Sequence, residues 1–100
     1  MSTDGFVLAF GISSDHPCLP GHFPGHPLVP GVMLLEQVAL ALYQWRRLRL
    51  TQVIEAKFVA PLLPGEQAEV SLNESGERIR FQIARDGQCL AKGIVAGAAA

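Results

Sequence analysis

The alternation of hydrophobic and polar positions divides this chain into one helical stretch set among strands. Residues 6–12, Phe-Val-Leu-Ala-Phe-Gly-Ile, are apolar and rich in β-favouring types, which predicts a first strand. From residue 31 to about residue 50 the period becomes helical. Val32, Met33, Leu34, Leu35, Val38, Ala39, Leu40, Ala41 and Leu42 are apolar around nearly the whole circumference, so this helix is expected to be buried on most sides. Gln44, Arg46, Arg47 and Arg49 follow, and cations suit a helix C-terminus. Beyond it only strand signals remain: residues 53–59 alternate weakly, and 66–72 and 78–84 more clearly. Residues 88–96 form a last strand, and 97–100, Gly-Ala-Ala-Ala, are expected to fray. Leu63-Pro64-Gly65-Glu66 has proline and glycine in the order of a tight turn, residues 73–76 are a second turn, and Asp86-Gly87 is a hairpin signal. The predicted order is strand, long loop, one helix, then four antiparallel strands joined by short turns. This is a single α+β domain over residues 1–100, with an antiparallel sheet curled around one long central helix.

Residues 13–30 interrupt that pattern with a loop of five prolines and two glycines. Loops this long inside small domains tend to be functional, and proline stiffens them before folding. The loop carries His22 and ends in Pro30-Gly31, a common way to open a helix whose first N–H groups are free. Five positions into the helix stands Glu36, with Val32, Met33, Ala39 and Leu40 three and four residues away, so a solvated face is not expected for it. An imidazole, a carboxyl group in an apolar setting that disfavours its charge, and backbone donors at a helix start form a candidate acid–base site for a carbonyl compound.

Composition narrows the classes. A chain of 100 residues buries only roughly 60–70% of its unfolded surface by itself. With 49% hydrophobic residues, some apolar surface is expected to face another chain. The net charge of −1, with both signs mixed along the chain, argues against a nucleic-acid binder. Cys18 and Cys89 make no disulfide framework and no C-x-x-C pair, and are read as reduced packing residues. His16, His22 and His26 with Cys18 match no zinc spacing, so no metal is expected. The N-terminus shows no secretory signal, and the longest apolar run is far short of a membrane span. A cytoplasmic location is the expectation.

The run Gly21-His22-Phe23-Pro24-Gly25-His26-Pro27-Leu28-Val29-Pro30-Gly31-Val32, followed by Glu36, resembles the signature of the hot-dog-fold beta-hydroxyacyl-[acyl carrier protein] dehydratases. Weaker likenesses are Ala56-Lys57-Phe58 with Pro61 and Pro64-Gly65-Glu66, and the closing strands punctuated by Gly87, Ala91 and Gly93. The resemblance implies a hot-dog fold and dehydration of 3-hydroxyacyl thioesters to trans-2-enoyl thioesters without a cofactor. It implies His22 as the base that takes the C2 proton and Glu36 as the acid that assists loss of the 3-hydroxyl. It also implies that the Gly31 amide polarises the thioester carbonyl, with Gly21, Phe23, Pro24, Gly25 and Pro30 shaping the loop. The partners implied are an acyl carrier protein, with Arg46, Arg47, Arg49 and Arg80 as candidate contacts, and a second hot-dog chain, as a homodimer, a heterodimer or a larger assembly. The family's Ala-Gln pair after the acid is replaced here by Val38-Ala39-Leu40 following Gln37. This and the compact length bear on substrate, and make the chain similar to the small dehydratases of polyene or pigment biosynthesis. The rival readings are a hot-dog acyl thioesterase and a non-catalytic subunit of a heterodimeric dehydratase.

Overall fold

A computed structural model describes residues 5–12 and 31–100. In chain order the elements are β1 (Phe6–Gly11), α1 (Gly31–Arg46), β2 (Leu48–Phe58), β3 (Gln67–Ser75), β4 (Arg78–Arg85) and β5 (Gln88–Ala99). The strands form one five-stranded sheet in the order β1-β3-β4-β5-β2, and every neighbouring pair is antiparallel.

The turns follow from their sequences. Leu63-Pro64-Gly65-Glu66 closes with Glu66 N–H donating to Leu63 C=O at 3.1 Å, and Gly65 takes the positive φ of +88° that a type II turn requires. Asp86 and Gly87 both have positive φ, 50° and 83°, between the paired residues Arg85 and Gln88. That is the I′ geometry whose twist matches flanking strands.

Three expectations need correction. The helix stops at Arg46, not near Leu50. Arg47 adopts a left-handed φ of 55° while its N–H still reaches Tyr43 C=O at 2.8 Å, which ends α1 and turns the chain at once into β2. Leu48-Arg49-Leu50 thus belongs to a strand. The last strand runs on to Ala99, because Gly97, Ala98 and Ala99 pair with Leu50, Arg49 and Leu48 instead of fraying. Finally, only β3-β4-β5 is a meander. β2 lies at the far edge beside β5, so the chain crosses the sheet between β2 and β3.

One face of α1 supplies the core. Leu34, Val38, Ala41 and Leu42 recur at helical spacing and are buried with Met33 against Val70, Leu72, Phe81, Ile83 and Val95 of the sheet. The sheet residues alternate inward along their strands, as the period of two demands. Three bulges bend the β2 side. Thr51 and Ile54 are extra residues in β2 against β5, and Leu90 is extra in β5 against β4. The Leu90 carbonyl accepts from both Val59 N–H (2.7 Å) and Ala60 N–H (3.2 Å), pinning the exit of β2. At the other end of α1, Trp45 stacks on Phe6 with ring centroids 6.5 Å apart.

Candidate active site

Of the expected site residues, Gly31, Glu36, Arg46 and Arg47 fall among those described. Gly21, His22, Phe23, Pro24, Gly25 and Pro30 lie outside them, as do His16, Cys18 and His26. Gly31 is the first residue of α1, where backbone N–H groups have no intrahelical acceptor. The first turn of α1 carries no acidic side chain, so the positive end of the helix dipole is not neutralised from within the helix. Gly31 rests against the ring of Phe58, the last residue of β2.

Glu36 sits about 7.5 Å further along the axis and, at about 100° per residue, roughly 140° around it. It therefore projects away from the sheet. The expectation of a buried setting within one chain is corrected here: Glu36 is exposed. Its neighbours on that face are nonetheless apolar. Val32 (65% exposed), Leu40 (50%) and Tyr43 (46%) continue the row at i−4, i+4 and i+7. α1 is thus apolar on both faces, as its composition predicts, and the described residues bury one of them. A carboxylate set in an uncovered apolar stripe becomes desolvated only when something else lies on the stripe.

Arg46 is engaged within the chain. Its guanidinium pairs with Glu74 of β3 and lies 4.1 Å from the Trp45 ring centroid. Arg47 lies over the Tyr43 ring at 4.9 Å. Two further groups are given no role by the sequence: Phe58, against Gly31, and Glu66, in the β2–β3 link. Phe58 figures in the sequence only as part of a weak motif. Glu66 accepts from Leu63 N–H at 2.9 Å and from Arg85 Nη1 at 2.7 Å, while Arg85 Nη1 also reaches Pro61 C=O at 3.3 Å. With Gly65 N–H bonded to Ile12 C=O at 2.7 Å, this cluster ties the β2–β3 link to the end of β1. The Leu63 N–H first, and then the Arg85 guanidinium, hold the Glu66 carboxyl below the usual carboxylate range, against an opposing effect of desolvation. Among the described residues no group of three or more His, Cys, Asp or Glu side chains could hold a metal.

A family model described as ApeI-like, ApeI dehydratase, matches residues 1–94. The chain belongs to this dehydratase family. Among curated relatives of this ApeI-like chain, the 3-hydroxyacyl-[acyl-carrier-protein] dehydratase FabZ of Haemophilus influenzae (strain PittEE) is 39% identical over 77 residues, covering 67% of this chain and 52% of that protein. The FabZ of Mannheimia succiniciproducens is 34% identical over 77 residues, covering 67% and 51%. The chain spans about half the length of the curated relatives it matches. The dehydratase heterocomplex ApeI:P from Xenorhabdus doucetiae superposes with a TM-score of 0.81 at 22% identity, covering 93% of this chain and 86% of that one. A 1,4-dihydroxy-2-naphthoyl-CoA thioesterase from Synechocystis gives a TM-score of 0.65 at 18% identity, covering 91% and 78%. These superpositions carry the fold, which is the hot-dog fold expected. Membership of the ApeI-like family rests on the sequence match.

Proposed function

We propose that this protein dehydrates 3-hydroxyacyl thioesters to trans-2-enoyl thioesters, with the acyl group borne on a carrier protein. The observation that carries the reading is Glu36, a lone carboxylate in the apolar outer stripe of a helix that begins at Gly31, in a chain of the ApeI-like dehydratase family. The Gly31 N–H, reinforced by the helix dipole, takes the thioester oxygen and makes the C2 proton more acidic. His22 removes that proton, and the C2–H electron pair becomes the C2=C3 bond. The C3–O bond breaks as Glu36 delivers a proton to the departing hydroxyl, which leaves as water. Solvent then takes the proton from His22 and restores the one on Glu36. Oxidation state does not change, so the step calls for no redox cofactor.

The exposed apolar stripe around Glu36 supports a second hot-dog chain on the outer face of α1, which would exclude water from the acid. β2, which bears the half-exposed Val53, is the last strand of the sheet among the described residues. A second copy is the simplest occupant. The name of the ApeI:P heterocomplex supports the alternative, a different hot-dog chain. A carrier protein would approach the cations at the end of α1, where Arg47 and Arg49 make no ion pair with a described residue while Arg46 is held by Glu74. No described helix is long and apolar enough to cross a membrane, and cytoplasmic residence is part of the same reading.

The deciding assay follows the absorbance of the conjugated enoyl thioester with 3-hydroxyacyl carrier substrates of several lengths. His22→Ala and Glu36→Gln should each lower turnover by roughly 10²–10⁴-fold. Undiminished turnover in either variant would reject the assignment. Release of free thiol would point to a thioesterase, and activity only after addition of a second hot-dog protein would point to the heterodimer.

A further inference from the structure

Glycine at position 31 is not explained by its backbone. The glycines with left-handed φ among the described residues are Gly65, Gly76 and Gly87, whereas Gly31 lies in ordinary helical conformation. A glycine at the first helical position costs little, so what singles it out is the close approach a side chain would meet there. Phe58 supplies it. A methyl group on Gly31 would stand 3.0 Å from the ring carbon Cζ, 3.1 Å from Cε1 and 3.4 Å from Cε2. These are tighter than ordinary van der Waals separations.

The aromatic ring is equally unexplained by core packing, since Phe58 is 51% exposed. Its backbone has little freedom to retreat. Phe58 is in register with Ala91 of β5, and the next two N–H groups, of Val59 and Ala60, both converge on the Leu90 carbonyl. The backbone that carries the ring is therefore held by the sheet, and the ring is seated on the first residue of α1.

We infer that Phe58 is a positioning residue: its ring and the bare Cα of Gly31 form one complementary pair that fixes the first amide of α1 where it meets the substrate oxygen. This rests on the reading of Gly31 as the thioester donor. A side chain at 31 would push the helix start off the ring, and loss of the ring would leave the helix start unsupported. Both changes act on an interaction that strengthens as charge develops on the oxygen, so they fall on kcat more than on KM.

The test is a double-mutant cycle of wild type, Gly31→Ala, Phe58→Ala and the pair, read by dehydration kinetics and by thermal melting. Gly31→Ala should lower kcat about 10–100-fold with Phe58 present, following the usual cost of a disturbed oxyanion donor. In the Phe58→Ala background it should cost less than about 2-fold, because the obstruction has gone. Phe58→Ala alone should lower kcat with KM little moved, and Phe58→Tyr, which keeps the ring, should restore it. Equal costs of Gly31→Ala in both backgrounds, with an active wild type, would overturn the pairing and leave the dehydratase reading standing. Coupling in melting temperature without coupling in kcat would reduce the pair to packing and overturn its positioning role. An inactive wild type would defeat the functional reading, while the melting cycle still reports whether the pair exists. Should Gly31→Ala fail to fold, the kcat and KM of Phe58→Ala against Phe58→Tyr decide the same question.

Discussion

At the scale of single residues, two side chains and one missing side chain hold the sheet's geometry. Gly93 of β5 faces inward opposite Ala56 of β2, and a methyl group there would be driven into the Glu55 backbone carbonyl and to within 2.8 Å of Phe81 Cε2. Phe81 is fully buried at the centre of the core, and the β2–β5 ladder cannot spread without breaking its own hydrogen bonds. Gly93→Ala is therefore expected to destabilise by about 1–3 kcal/mol, read as a lower urea midpoint at unchanged slope. Glu66 gives a prediction in pH. Its carboxyl is held below the usual value of 4.5 in the folded chain, first by the Leu63 N–H and then by Arg85. The stability it contributes is present above the unfolded pKa and is lost as pH falls through the folded one. Glu66→Gln should therefore melt below wild type at pH 7, with the gap closing in acid below about pH 4.5. A gap independent of pH would show that the charge contributes nothing.

At the scale of elements, local chemistry decides what the sequence discloses. The turns at Pro64-Gly65 and Asp86-Gly87 are legible because proline's fixed φ and glycine's left-handed freedom act within four residues. Although the sequence does not say which face the sheet buries, the existence of α1 is legible from its run of apolar residues. Its end is not, since Leu48-Arg49-Leu50 suits either period and the residue that stops the helix is a left-handed arginine, not a glycine. The edge position of β2 is set by its pairing with β5, more than thirty residues away, and no local pattern encodes it. The site divides the same way. Glu36 and Gly31 are candidates through a motif. The exposure of Glu36 is not legible, because an apolar neighbourhood along one helix says nothing about which chain covers it. Phe58 is visible in sequence only as part of a weak motif, and its contact with Gly31 exists only in three dimensions.

At the scale of the whole molecule, the outer face of α1 is the surface proposed above for a second chain. Val32, Leu40 and Tyr43 form an apolar stripe that a solitary domain would have no reason to keep in water. Leu40→Lys places a charge at its middle, away from the Gly31–Phe58 contact. Light scattering should find the variant at the mass of one chain where wild type has that of two, with turnover lost alongside. Wild type at the mass of one chain, in the absence of any partner, would turn attention to a different hot-dog subunit.

The crossing between β2 and β3 also carries a consequence for biosynthesis. Translation delivers β2 long before β5, yet among the described residues β5 is the one strand on which β2 hydrogen-bonds. Until residues 88–99 leave the ribosome, an eleven-residue strand bearing Val53 and Phe58 waits with both of its edges open. Such a strand is the part of a nascent chain that invites wrong pairing with neighbours. The interval from Phe58 to Gln88 is therefore the window in which a folding helper has most to protect.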